Sequence, residues 1–214
     1  MVLQDDMWSD KEYVEVFYKI QRSDQNSSVL EWNGEKGNSL RSPKDKSSEL
    51  SKLLNCFGVE GIPYNNGDVD FSQVSKYEIE FVDVKQLYLY LGTTIKFGDL
   101  TSKCSVKSRD HFRGIIRQKW QLMAMQWLLD RIKIDNQFAK DFSEKTGVDT
   151  SSINTVSGLK CELKRNGLTL HETTDCKKIQ FVSTRIHKAF RHTGGIVEML
   201  EKLINGDIHN RVNT

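Results

Sequence analysis

GLTLHETTDCKKIQFVSTRIHKAFRHTGGI, residues 167–196, carries the densest structural signal in the chain. Leu168–Glu172 reads as a strand, Thr173–Lys177 as a turn and Lys178–Val182 as a second strand. Ser183 stands where a helix needs an N-cap, and Gly194-Gly195 where it needs an end. Strand, strand and helix within about thirty residues make a ββα unit. A last helix, Ile196 to Leu203, would carry Ile196, Met199, Leu200 and Leu203 on one face and pack back on that unit.

Upstream, Val148–Gly158 is rich in Ser, Thr and Asn and reads as a linker into the ββα unit. Before it come a polar helix over Gln137–Lys145, stopped by Gly147, and a longer amphipathic helix over 110–134. In the longer one Phe112, Ile115, Ile116, Trp120, Met123 and Trp127 recur at helical spacing, so the tryptophans are expected in a core more than stacked on bases. KYEIEFVDV, from Lys76, has the alternation of a half-buried strand, and GVEGIPYNNGDVDFS, from Gly58, closes a hairpin on Asn66-Gly67. Residues 21–48 are dominated by turn-forming types and read as a loop, with a helix from near Ser47 carrying Leu50, Leu53 and Leu54. Met7 to Ile20 is readable as a short helix capped by Ser9 or as an edge strand. The fold class is therefore α+β, mostly helical, with an N-terminal hairpin region and a C-terminal ββα unit.

Composition excludes several classes. With 37% apolar and 28% charged residues the 214-residue chain has a globular balance, neither disordered nor membrane-embedded. No segment approaches the roughly 20 consecutive apolar residues of a bilayer span. The opening MVLQDDMWSDKEY is acidic and has no basic n-region with an apolar stretch behind it, so a classical signal peptide is not expected and any export would take another route. Cys56, Cys104, Cys161 and Cys176 form no C-x-x-C pair, which fits free thiols better than a zinc knuckle or a disulfide scaffold. The net charge of +2 conceals two opposite halves. Residues 1–100 hold 11 Lys/Arg against 17 Asp/Glu, and residues 101–214 hold 20 against 12. A polyanion is the natural partner of the second half.

Four of the five histidines follow residue 170, and His171, His187 and His192 fall inside the ββα unit. Histidines beside acidic groups suit a divalent-metal phosphodiesterase, in which a cation offsets phosphate charge while a neutral imidazole takes a proton from water. His111 and His209 stand apart and are expected at the surface.

Residues 167–196 resemble the signature of the WHH/LHH branch of the HNH/endonuclease VII nucleases, which runs approximately T-W-H-E/H, D-x-x-x-M-x-L-V-P, then I-H, four residues, H-x-G-G. The likeness rests on Thr169, His171, Glu172, Asp175, Cys176, Val182, Ile186, His187, His192, Gly194 and Gly195. Leu170 stands where Trp is usual, and Ile179 and Phe181 replace Met and Leu, all apolar exchanges. A weaker likeness to toxin nucleases of this family covers Trp32–Ser39, Gly58–Ser72 and Ser75-Lys76, so that the whole spans about residues 28–200. Asp70 and Phe71 match that lead-in, as structural support of the catalytic unit.

The resemblance implies a ββα-metal (His-Me finger) unit over 161–214, an elaboration over 28–160 and an extension over 1–27. It makes His171 the general base, with Glu172 catalytic beside it, and His187, His192 and Asp175 metal ligands. His192 lies about 140° around an ideal helix from His187, so it reaches the same ion only if the helix ends or distorts near Phe190. Leu170 occupies a position that often supplies a third ligand, and Asp175 or Glu172 must then give the oxygen, which suits Mg²⁺ or Mn²⁺ more than Zn²⁺. Alternatively Glu172 and Asp175 form a turn-facing salt bridge to Lys177 or Arg185. Arg185, Lys188, Arg191 and Lys178 would contact phosphates. The implied activity is hydrolysis of nucleic acid, DNA before RNA, by a toxin working in the cytoplasm of a target bacterium and held in check by an acidic immunity protein. Two other classes share the shape: a silent nucleic-acid-binding module, and a structural zinc site closed by Cys161 or Cys176.

Overall fold

The computed structural model describes residues 20–80, 106–192 and 195–196, without the side chains of 106–112. The expected first element, Met7 to Ile20, lies almost wholly outside these residues, as do Cys104, the side chain of His111, His209, and all but the first residue of the expected helix at Ile196 to Leu203. Among the described residues no helix is long and apolar enough to cross a membrane.

The architecture is α+β. The described residues pack as two units: 20–75 with 182–192, and 76–80 with 106–181 and 195–196. The first unit holds a sheet of four strands in chain order, β1 (Leu30–Trp32), β2 (Leu40–Pro43), β3 (Ile62–Asn65) and β4 (Asp68–Val69), all antiparallel. Asn66 and Gly67 close β3 to β4 with φ of 49° and 80°, the paired positive angles of a type I′ turn, as Asn-Gly requires. Strands β1 and β2 correct the reading of 21–48 as a loop. Their apolar content is small, and pairing with each other and with Ile62–Pro63 holds them. Helix α1 (Glu49–Asn55) starts where Ser48 accepts the Ser51 N–H at 3.2 Å. It packs against β2 and against α5 (Thr184–Ala189), burying Leu54 with Leu30, Ile62, Phe71, Val182, Ile186 and Phe190.

In the second unit α2 (Val106–Ile134) presents Ile116, Trp120, Ala124, Leu128 and Ile132 at four-residue spacing, a single buried stripe. Trp120 is fully buried in it, a core residue as the spacing predicts. Helix α3 (Asn136–Thr146) is capped by Asp135, which accepts from Phe138 N at 2.9 Å, and ends at Gly147 with φ 78°. The expected linker at 148–158 is only partly irregular. Thr155 accepts the Gly158 N–H at 3.0 Å and starts α4 (Val156–Arg165), which buries Leu159 and Leu163. Helices α3 and α4 both pack on α2. A three-stranded sheet ordered β5 (Ser75–Glu80), β7 (Lys178–Ser183), β6 (Leu168–Glu172) completes the unit. Along β7 the chain passes from one core to the other, since Ile179 and Phe181 belong to the helical core and Val182 to the core around Phe71.

Candidate metal centre

The site is built on β6, β7 and α5, one unbroken run of chain. The turn joining the strands is held by side chains. Thr173 Oγ1 donates to Asp175 Oδ1 at 2.6 Å and accepts from Lys178 N at 3.1 Å, while Asp175 Oδ1 also accepts from Lys177 N at 2.9 Å. Partial burial pushes the Asp175 carboxyl up, but the Thr173 hydroxyl, the Lys177 amide and the neighbouring lysines outweigh it and hold the group below its ordinary range. Asp175, expected as a metal ligand, is thus engaged in the turn as an acceptor.

At the end of β6 the side chains of His171 and Glu172 are both buried. Glu172 accepts from Gln121 Nε2 of α2 at 2.7 Å. Burial drives its carboxyl above the usual range, with Gln121 and the charge of Arg117 pulling the other way. The salt bridge to Lys177 or Arg185 considered for Glu172 is replaced by this contact with α2.

Helix α5 begins after Ser183, which takes the N-cap position without a capping side-chain hydrogen bond. It does not run to Gly194-Gly195. Its last turn closes with Phe190 N on Ile186 O at 3.1 Å, and Phe190, at φ −93° and ψ 89°, leaves the helix. The early end removes the angular mismatch between His187 and His192. The two rings meet edge to face with centroids 4.8 Å apart. Phe71, fully buried, stacks on His187 at 5.6 Å and meets His192 edge-on at 5.3 Å. His192 Nδ1 lies 2.9 Å from the Phe190 carbonyl oxygen, which can only accept. The proton therefore sits on Nδ1, and the Nε2 lone pair is the one that can meet a cation.

One ligand atom from each of His171, His187 and His192 lies within 4.8 Å of the others. Imidazole nitrogens gathered this closely, one ring buried and two set against an aromatic wall, suit a divalent transition cation, held by all three or held by two and faced by the third. Among the described residues, neither Glu172, Asp175 nor any cysteine joins this group. Cys161 is exposed and Cys176 buried, so the closed zinc site with a cysteine finds no support in the arrangement.

Arg185, Lys188 and Arg191 are exposed. Lys178 is paired with Glu78 at 2.7 Å, and Glu78 also accepts from Gln180 at 2.9 Å, so part of its charge is already answered. Phe71, expected as structural support of the catalytic unit, meets two of the three histidines, partners that its sequence position does not specify, and Gln121, one polar position on a long helix, was not singled out at all. Neither announces its partner locally.

No curated protein and no solved structure matches the chain. Residues 96–194, a little under half of the chain, match the family model of the DNase/tRNase domain of colicin-like bacteriocins, and over that stretch the chain is similar to a bacteriocin nuclease domain.

Proposed function

We propose that this chain is a metal-dependent endonuclease of the HNH type, in its WHH/LHH form, that hydrolyses phosphodiester bonds of nucleic acid, DNA in preference to RNA, as a bacterial toxin effector. One observation carries the reading: the ligand atoms of His171, His187 and His192 gather within 4.8 Å on a strand-strand-helix run. The match of residues 96–194 to a bacteriocin nuclease domain supports it independently.

In this reading His187 and His192 would hold the cation, which would supply positive charge for the phosphate and for the departing oxygen. His171 is the general base. Its imidazole takes the proton of a water whose oxygen bonds to phosphorus as the bond to the leaving oxygen breaks. His171 is buried at the end of β6, which holds its ring in place for this task. Glu172 supports the strand that carries His171 through its bond to Gln121. With imidazoles alone in the group, Zn²⁺ or Mn²⁺ suits the site better than Mg²⁺. Arg185, Lys188 and Arg191 meet phosphate oxygens, which fixes position without reading bases. An acidic immunity protein would cover the basic half and neutralise the toxin in the producing cell.

The test is incubation of the purified chain with supercoiled plasmid and with total RNA, in Mg²⁺, Mn²⁺, Zn²⁺ or EDTA. Nicked and linear plasmid with a cation and intact plasmid with EDTA are expected. Intact DNA and RNA under every condition, or equal cutting by His171→Ala, would overturn the reading.

A further inference from the structure

We propose that Asn26 and Tyr64, locked together by the buried Arg41, form a clasp that ends α5 at Phe190 and so brings His192 onto His187; all three are positioning residues for the candidate metal centre. The proposal rests on the functional reading above only in the use to which the histidine pair is put.

A helix of α5's sequence has no internal reason to stop where it does. Neither glycine nor proline follows Ala189 until Gly194, and Lys188 and Arg191 are good helix formers. The carbonyls at its end are instead taken by side chains distant in sequence. Asn26 Nδ2 donates to Ala189 O at 2.9 Å, and the Tyr64 hydroxyl donates to Arg191 O at 3.0 Å. Between them Phe190 O meets His192 Nδ1 at 2.9 Å. Three successive carbonyls are thus turned to partners outside the helical ladder, and a continued helix would have to give these bonds up.

Arg41 ties the two arms. Its side chain is fully buried, and Nη2 donates to Asp24 O at 3.1 Å and Gln25 O at 3.0 Å, the residues that lead into Asn26. The guanidinium lies over the Trp32 ring at 5.0 Å, and Trp32 meets Tyr64 edge-on at 5.0 Å. Burial raises the Tyr64 phenol far above its ordinary value despite the Arg41 charge beside it. The hydroxyl therefore stays protonated, as a donor to Arg191 O must. Asn26 itself sits at φ 72°, a conformation that Asn tolerates and most residues do not, so the turn is shaped to aim its amide. Asn26, Arg41 and Tyr64 all precede the stretch that matches the bacteriocin domain. The N-terminal sheet is by this account a working part of the site.

The test compares Tyr64→Phe, which removes one oxygen and keeps the ring packing, with the double variant Asn26→Gly/Tyr64→Phe. Val69→Ala in β4 serves as a control for destabilisation of the same core. The first readout is the ring-to-ring nuclear Overhauser cross-peak between His187 and His192 in metal-free protein. The second is titration with Co²⁺ alone, followed by its visible absorption. Wild type and Val69→Ala should show the cross-peak. Tyr64→Phe should weaken it and the double variant abolish it, with Co²⁺ affinity down about tenfold or more. An unchanged cross-peak and unchanged Co²⁺ affinity in both variants overturn the clasp, as does equal loss in Val69→Ala. Because the cross-peak is read without metal or substrate, a wild type that cuts no nucleic acid would overturn the functional reading and leave the clasp to be judged on its own spectrum.

Discussion

At the scale of single residues the proposed mechanism gives His171 and His187 different jobs, and substitution should separate them. His171→Ala should abolish cleavage and leave metal affinity nearly unchanged, because the base acts on water. His187→Ala should lose both, since a direct ligand is gone. Calorimetric titration of the two variants distinguishes them, and the opposite pattern would exchange the roles. Glu172 offers a test by pH. Its carboxyl is raised in the folded state by burial, so folding favours the protonated form. The stability this group contributes is present below its unfolded value, the ordinary 4.5 of a glutamate, and is lost as pH rises through the higher folded value. Glu172→Gln keeps an acceptor for Gln121 without a charge. It should be more stable than wild type in urea at pH 7.5, and the advantage should vanish as the pH is lowered to about 4.5. Equal gains at both pH values would mean that the carboxylate is not strained by burial.

At the scale of elements Gly195 serves as a contact point and not as the stop of α5. A Cβ on Gly195 would lie 2.1 Å from Thr173 O and 2.9 Å from Glu172 O, both backbone atoms at the end of β6. Gly195→Ala must therefore push this segment off the hairpin, at a cost of about 2 kcal/mol. A thermal melt within a degree of wild type would show that the close approach is absent in solution. In α2, Trp120→Ala should cost about 3–5 kcal/mol, the loss of a large side chain from a closed core. Denaturant titration followed by circular dichroism measures it. Elements with a strong internal period or a capping residue, such as α2, α3 and the hairpin at Asn66-Gly67, were legible in advance because their signals are local. Strands β1 and β2 were not, because three or four residues of mixed character become strands only when neighbours supply the ladder.

At the scale of the whole molecule, charge sets the expected behaviour. Twenty basic against twelve acidic residues after position 100, with Arg185, Lys188 and Arg191 exposed, favour a backbone-reading, sequence-nonspecific nuclease. Binding to a catalytically dead variant should weaken steeply with salt. Removing any one of Arg185, Lys188 or Arg191 should lower the slope of log K against log salt by about one. Lys178→Ala should change it less, because Glu78 already answers that charge. Discrete fragments from a long DNA, unchanged between low and high salt, would point to base recognition instead. Expression of the wild-type chain in bacteria should be toxic unless an acidic inhibitor is co-expressed, and growth at high expression without one would remove the support for a toxin.

The ββα run, the α+β class and the three histidines are legible in the chain alone, because strand alternation, turn chemistry and residue identity are written within a few positions of each other. The sequence also stated the condition under which His192 could join His187, an end or distortion of the helix near Phe190. That the condition is met follows from long-range contacts. The residues that take the carbonyls of Ala189 and Arg191 are Asn26 and Tyr64, 163 and 127 positions away along the chain. No periodicity or cap signal spans that distance, and the end of this helix is set by partners that folding alone brings to it.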